Sequence, residues 1–107
     1  SGTVRCFDTA DNMTAFVFDD YTDEGNVLVL LDSKCEAVAS ITADNGIKSV
    51  AVKNGYVTVL TETHIKVYDS QLKAVSDTLL DDSYSDFIYV GNSAVLMGYD
   101  KLNSISL

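Results

Sequence analysis

Two stretches of this chain repeat each other's pattern. LDSKCEAVAS, from Leu31 to Ser40, returns as YDSQLKAVSD, from Tyr68 to Asp77, so Asp32 recurs as Asp69, 37 residues further on. A repeat of roughly 20 to 50 residues built from short strands implies a stacked array, in which one unit cannot bury its own apolar face and needs the next. Such a pattern constrains architecture. It does not by itself specify an activity.

The unit is clearest from Ile47 onwards. IKSVAV, YVTVLT and IKVYD are alternating runs rich in β-branched residues, separated by Lys53-Asn54-Gly55 and Glu62-Thr63-His64. Asn-Gly between two such runs signals a tight hairpin, because both central residues of a type I′ turn need positive φ. Asp69-Ser70-Gln71 makes the next turn, and Lys73 to Leu80 supplies a fourth strand. Forwards, Asn92 aligns with Asn54 at a step of 38, AVLMGY stands for YVTVLT, and Asn103 to Leu107 stands for a third strand. Backwards, Thr3 to Asp8, Thr14 to Asp19, Asn26 to Asp32 and Glu36 to Thr42 supply four strands, with the second hairpin widened into an acidic loop from Asp19 to Asn26. The expected layout is one all-β domain over residues 1–107, with antiparallel units at about 3–43, 47–80 and 84–107. Alternation places Val50, Val52, Val57, Val59, Ile65 and Val67 on one core-facing side of the middle sheet, and Thr58, Lys66 and Tyr68 on the other.

Four-stranded units of this length resemble the blades of a β-propeller, and IKVYDSQLKAV is similar to third and fourth strands of quinoprotein-like and related bacterial propeller repeats. The resemblance implies a partial propeller of about two and a half to three blades, with a β-sandwich as the alternative. The Trp-Asp and Gly-His marks of WD40 repeats, the kelch double glycine and the quinoprotein Trp are absent from the sequence. No cofactor-binding residue is therefore carried over. Closed propellers use four to eight blades, so the array is expected to be part of a longer protein or to be completed by a second copy.

Composition narrows the partners. Sixteen acidic against seven basic residues give a net charge of −9, which repels phosphate backbones and anionic membranes. Hydrophobic residues make up 47% and charged residues 21%, the balance of a folded globular domain. The longest apolar run, Val27 to Leu31, is far short of the roughly 20 residues of a spanning helix. No charged-then-apolar leader opens the sequence, so the signal or anchor of an exported protein would lie outside it. Pro and Trp are absent, leaving the turns to Asn, Gly, Asp and Ser.

The chemistry-bearing residues are few. Asp19, Asp20, Asp23 and Glu24, with Gly25 and Asn26, cluster hard oxygen donors of the kind calcium takes, but their spacing is not that of an EF-hand, and a solvated hairpin tip is the plainer expectation. Asp81, Asp82 and Asp86 form a second acidic stretch, read as a linker with turn hydrogen bonds. His64 is the only histidine and has Glu62 nearby, but no nucleophile motif accompanies it. Cys6 and Cys35 lack metal-ligand spacing and are read as two separate thiols, Cys6 facing a core and Cys35 aligned with Leu72. Of the six tyrosines, Tyr56, Tyr68 and Tyr99 fall on strand positions, while Tyr21 and Tyr84 lie in loops and are the contact candidates; Tyr89 has no assigned role. No residue is assigned as catalytic, cofactor-binding or metal-binding.

The function expected is a non-catalytic interaction or scaffold module of a larger bacterial protein, extracytoplasmic or at the cell surface. It would bind a protein partner or a second copy through sheet faces or edges, with glycan binding also open, and neither nucleic acid nor inserted membrane. The alternative is a fragment of a hydrolase-type propeller enzyme whose active site lies mostly elsewhere. Calcium-stabilised adhesion is a third reading.

Overall fold

The computed structural model describes residues 2–20, 26–43 and 46–106, which form strands and the turns and short connections between them. The strands are β1 (Gly2–Ala10), β2 (Met13–Asp20), β3 (Asn26–Leu31), β4 (Ala37–Ala43), β5 (Ser49–Lys53), β6 (Tyr56–Leu60), β7 (His64–Tyr68), β8 (Ala74–Leu79), β9 (Asp86–Val90), β10 (Ser93–Met97) and β11 (Leu102–Ser106). They make three antiparallel sheets, ordered β1-β2-β3-β4, β5-β6-β7-β8 and β11-β10-β9. Every pairing joins neighbours in sequence. The first strands of the sheets lie at the centre, with β5 against β1 and β2 on one side and touching β9 on the other. This is a partial β-propeller of two four-stranded blades and one of three strands, as the repeat implied.

Tight turns set the registers. Asn54 (φ 54°) and Gly55 (φ 80°) make the two-residue turn expected between β5 and β6. Asp11 (φ 54°) and Asn12 (φ 62°) make the corresponding turn between β1 and β2, which is legible only weakly because Asp and Asn tolerate this conformation less freely than Gly. In the third sheet Val90 pairs with Ser93 across Gly91 and Asn92, so Gly91 occupies the place of Asn54. The true step is therefore 37, and the alignment of Asn92 with Asn54 is one residue out. With the step corrected, Ala94 and Leu96 take the places of Val57 and Val59, and all four are buried.

The expected core face of the middle sheet also needs correction. Val59 pairs with Lys66, Leu60 with Ile65 and Thr58 with Val67. Directly paired residues share a face, so Ile65 and Val67 lie with Thr58 and Leu60, while Lys66 and Tyr68 lie with Val57 and Val59. The two-residue rhythm failed here because the sheet is covered on both sides. One cluster joins Ala15, Val17, Leu28 and Leu30 of the first sheet to Val50, Val52, Val57 and Val59 of the second. Another joins Leu60 and Ile65 to Tyr84, Phe87, Ala94 and Leu96 of the third unit. Each fully buried Val, Leu or Ile contributes about 1.5–3 kcal/mol, so the two clusters hold the sheets together.

Polar clasps fix how the sheets meet. Asp8 Oδ2 accepts the Val52 N–H at 2.7 Å, and Asn26 Oδ1 accepts the Ile47 N–H at 2.6 Å, both between the first and second units. Between the second and third, Lys48 donates to the Tyr84 carbonyl at 2.9 Å and the Thr58 and Tyr89 hydroxyls bond each other. Cys6 and Cys35 are not bridged. Cys6 packs at the edge of the first cluster, and Cys35 is exposed in a turn at φ 61°.

Candidate functional site

The acidic loop falls largely outside the described residues, Tyr21 to Glu24 and Gly25 among them, but its two ends are placed. Asn26 is 3% exposed, and its side-chain amide donates to Asp19 Oδ1 at 2.5 Å while its oxygen accepts from Ile47. Both ends of that side chain are committed to the fold. Among the described residues no three His, Cys, Asp or Glu side chains gather closely enough to hold a metal ion.

Asp81, Asp82 and Asp86 do not converge. Asp82 pairs with Lys101 at 2.5 Å and accepts the Ser83 N–H, which holds its carboxyl below its ordinary value and raises the Lys101 ammonium. Asp81 accepts the Tyr84 hydroxyl at 3.0 Å. Asp86 accepts the N–H of its neighbour Phe87 at 2.8 Å. These are the turn and linker bonds that short Asp side chains favour.

His64 begins β7, with Nδ1 2.7 Å from the Thr63 hydroxyl and Nε2 3.8 Å from Asp77. Glu62 turns away to Lys48 at 2.7 Å and to Ser83 at 2.7 Å, and those hydrogen bonds hold its carboxyl below its ordinary value. The pair that stood closest in sequence is thus apart in space.

The tyrosines divide differently from expectation. Tyr84 is 3% exposed, sits in the cluster between the second and third units, and carries the Lys101 ammonium over its ring at 5.2 Å. A chain segment between strands had suggested a contact residue, but the side chain folds inward because Asp81 and Asn103 satisfy its hydroxyl. Tyr99 follows the end of β10 and is fully exposed, and so is not a strand residue. Tyr68 is half-buried, and burial, with the Asp77 charge second, pushes its phenol up.

Tyr56 and Tyr89, by contrast, line a groove of about 570 Å³ between the second and third sheets. Lys53, Val67, Ser76 and Ser106 complete its walls, and Lys53 Nζ lies 4.9 Å from the Tyr89 ring centre while donating to the Gly91 carbonyl. The lining holds no carboxylate and no histidine. Only the stacking of the second sheet on the third brings these residues together, and no local signal in the sequence marks them.

Two further surfaces stand out. On the outer side of the first sheet Phe16 and Phe18 stack at 5.9 Å, and Phe7 beside them is 69% exposed. On the outer side of the third, Ile88, Val90 and Leu102 are exposed, Leu102 by 73%. These are the faces that a neighbouring blade covers in the middle of the array.

Comparison with solved structures supports the architecture. Sqt1 of Saccharomyces cerevisiae matches with a TM-score of 0.69 at 9% identity, over 89% of this chain and 28% of that one. BamB from Moraxella catarrhalis matches at 0.69 and 11%, over 92% and 29%. Hsv2 from Kluyveromyces marxianus matches at 0.67 and 12%, over 99% and 34%. At these identities the likeness is one of β-propeller fold, and the chain spans about a third of each structure's length. No curated protein matches the sequence. A family model covers residues 1–107 from end to end, and by that match the chain belongs to DUF5711, a family of unknown function.

Proposed function

We propose that the chain is a non-catalytic interaction or scaffold module within a larger cell-surface bacterial protein, built of blades of the quinoprotein-like type. The observation that carries the reading is the pair of outward apolar faces, exposed Phe7 beside the half-buried Phe16 and Phe18 at one end and exposed Ile88, Val90 and Leu102 at the other. Soluble proteins rarely leave such patches uncovered, and the middle sheet shows how they are satisfied, by another sheet on each side. The partner is accordingly another sheet, either of the same longer protein or of a second copy. The bacterial, extracytoplasmic placement rests on the likeness of IKVYDSQLKAV to bacterial propeller repeats.

The groove walls carry Lys53, Tyr56, Val67, Ser76, Tyr89 and Ser106, side chains suited to contact with another protein segment. His64 and Glu62 are engaged elsewhere, as described. Light scattering coupled to size exclusion tests the reading. The chain is expected to self-associate as concentration rises, and Phe7→Asp with Ile88→Asp, both exposed positions, is expected to keep the circular dichroism spectrum and remain monomeric. A wild-type monomer at all concentrations would remove the support for sheet-face docking.

A further inference from the structure

The two four-stranded sheets end on edges of different character. Four strands complete a propeller blade, so the outer edges of β4 and β8 form part of the rim of the array and would stay at the rim with further blades on either side. Among the described strands β4 pairs only with β3, and β8 only with β7. Both pairings shift register at the same place in the repeat, between Leu30 and Leu31 in one and between Val67 and Tyr68 in the other. The extra residue, Val38 or Val75, is exposed in each. The backbone at the rim is thus built alike in the two sheets.

Its charges are not alike. Asp77, within β8, corresponds to Ser40 in β4, and Lys73, just before β8, corresponds to Glu36. β4 reads AVASITA and carries no charged residue, whereas the exposed Asp77 interrupts β8 and lies 3.8 Å from His64. A charge within an edge strand keeps other strands from pairing with it, one of the devices by which native sheets guard open edges. β8 has that guard and β4 lacks it. Beyond its bulge β4 runs in unbroken register with β3 from Ala39 to Ala43, about the length of an average strand.

We propose that the outer edge of β4 is a docking site for an extended, basic segment of a partner protein, which adds to the first sheet as a further strand. Backbone hydrogen bonds supply the affinity, and the uncharged run from Ala37 to Ala43 admits an uncharged, β-branched middle. Glu36, exposed just before the strand, pairs with a Lys or Arg at the end of the segment. Charge selects this occupant over a second copy at the rim, where no apolar face offsets the repulsion between two chains of net charge −9. The same segment is rejected by β8, where Lys73 stands in place of Glu36 and Asp77 interrupts the edge. The proposal deepens the interaction-module reading by naming an occupant, and it does not use the outer apolar faces.

The test uses the full chain and a fluorescein-labelled peptide of alternating Val and Thr with a lysine at each end, followed by fluorescence polarisation. Saturable binding is expected, at least about tenfold weaker when glutamates replace the end lysines or when a proline, which cannot donate to the ladder, stands in the middle. Glu36→Lys with Ser40→Asp gives two exposed positions the residues that β8 carries, and is expected to weaken binding at least about tenfold without changing the circular dichroism spectrum. No saturable binding, equal binding of the glutamate or proline peptide, or binding indifferent to the two substitutions would overturn the proposal. So would self-association that the same two substitutions abolish, since a second copy would then be the occupant. Peptide binding by the Phe7→Asp, Ile88→Asp chain would uphold the rim site even if the outer faces proved idle, and self-association without peptide binding would overturn the rim site alone.

Discussion

Asp32 and Asp69 accept the same pair of backbone hydrogen bonds. Asp32 Oδ1 takes the N–H groups of Lys34 at 2.8 Å and Glu36 at 3.0 Å, and Asp69 Oδ1 takes those of Gln71 and Lys73 at the same distances. Behind each, the N–H of the fourth turn residue bonds the Asp carbonyl at 3.0 Å, and that fourth residue is left-handed. The repeated letters thus encode a five-residue turn held by one carboxylate. What differs is the left-handed residue, an exposed Cys35 in one copy and a buried Leu72 in the other.

That difference separates strain from packing. A left-handed side chain costs about 1–2 kcal/mol that glycine avoids, part of it returned through the more flexible unfolded chain. Cys35→Gly is expected to hold stability level or raise it by up to about 1 kcal/mol. Leu72→Gly is expected to lower it by about 2 kcal/mol, because the lost burial outweighs the relieved strain. Urea denaturation of both variants checks the contrast, and a matched response at the two sites would contradict it.

Acid should loosen the second turn. The backbone N–H groups of Lys73 and Gln71 hold the Asp69 carboxyl below its ordinary value. A lowered folded value means stability fully present above the unfolded value of about 3.9 and lost as pH falls through the folded one. Asp69→Asn keeps an acceptor oxygen but does not titrate. The stability advantage of the native chain over this variant should therefore narrow as pH is taken from about 5 towards about 2.5. An unchanging difference would show that the carboxylate charge is not what holds the turn.

Asp8 reaches across from the first sheet to the Val52 N–H of the second. Asp8→Ala is expected to cost about 1–2 kcal/mol, since the amide is left without its acceptor. It should also speed hydrogen exchange at Val52 far more than at Thr58, one strand further out. Uniform acceleration across β5 and β6 would mean general loosening rather than loss of a clasp.

Thr58 is fully buried and its hydroxyl bonds that of Tyr89. Tyr89→Phe leaves a dry hydroxyl unpaired and is expected to cost about 1–3 kcal/mol. Adding Thr58→Val should recover much of that loss, giving a measurable coupling in a double-mutant cycle. Additive losses would place the two hydroxyls in separate roles.

Strand positions were readable wherever β-branched runs met a turn with its own chemistry, as at Asn54-Gly55. The faces of β7 were not, because Val57, Leu60, Ile65 and Val67 are apolar on both sides of a doubly covered sheet and alternation then carries no sign. Tyr84 misled for a related reason. Its neighbours Asp81 and Asp82 are polar, yet Asp81 accepts the buried hydroxyl and Asp82 holds the Lys101 ammonium that lies over the ring. Tyr56 and Tyr89 become a shared feature only once the sheets are stacked, since 33 residues of chain separate them.

Because every strand pairs with its neighbour in sequence, no sheet must wait for a distant partner. Local closure of this kind is kinetically cheap, and the nascent chain can complete each sheet as it leaves the ribosome, before the next has been made. The slow and hazardous event is then the docking of finished sheets, when their sticky sides are briefly open to other chains. Expression yield should accordingly be governed less by mutations within hairpins than by those that delay the meeting of one sheet with the next.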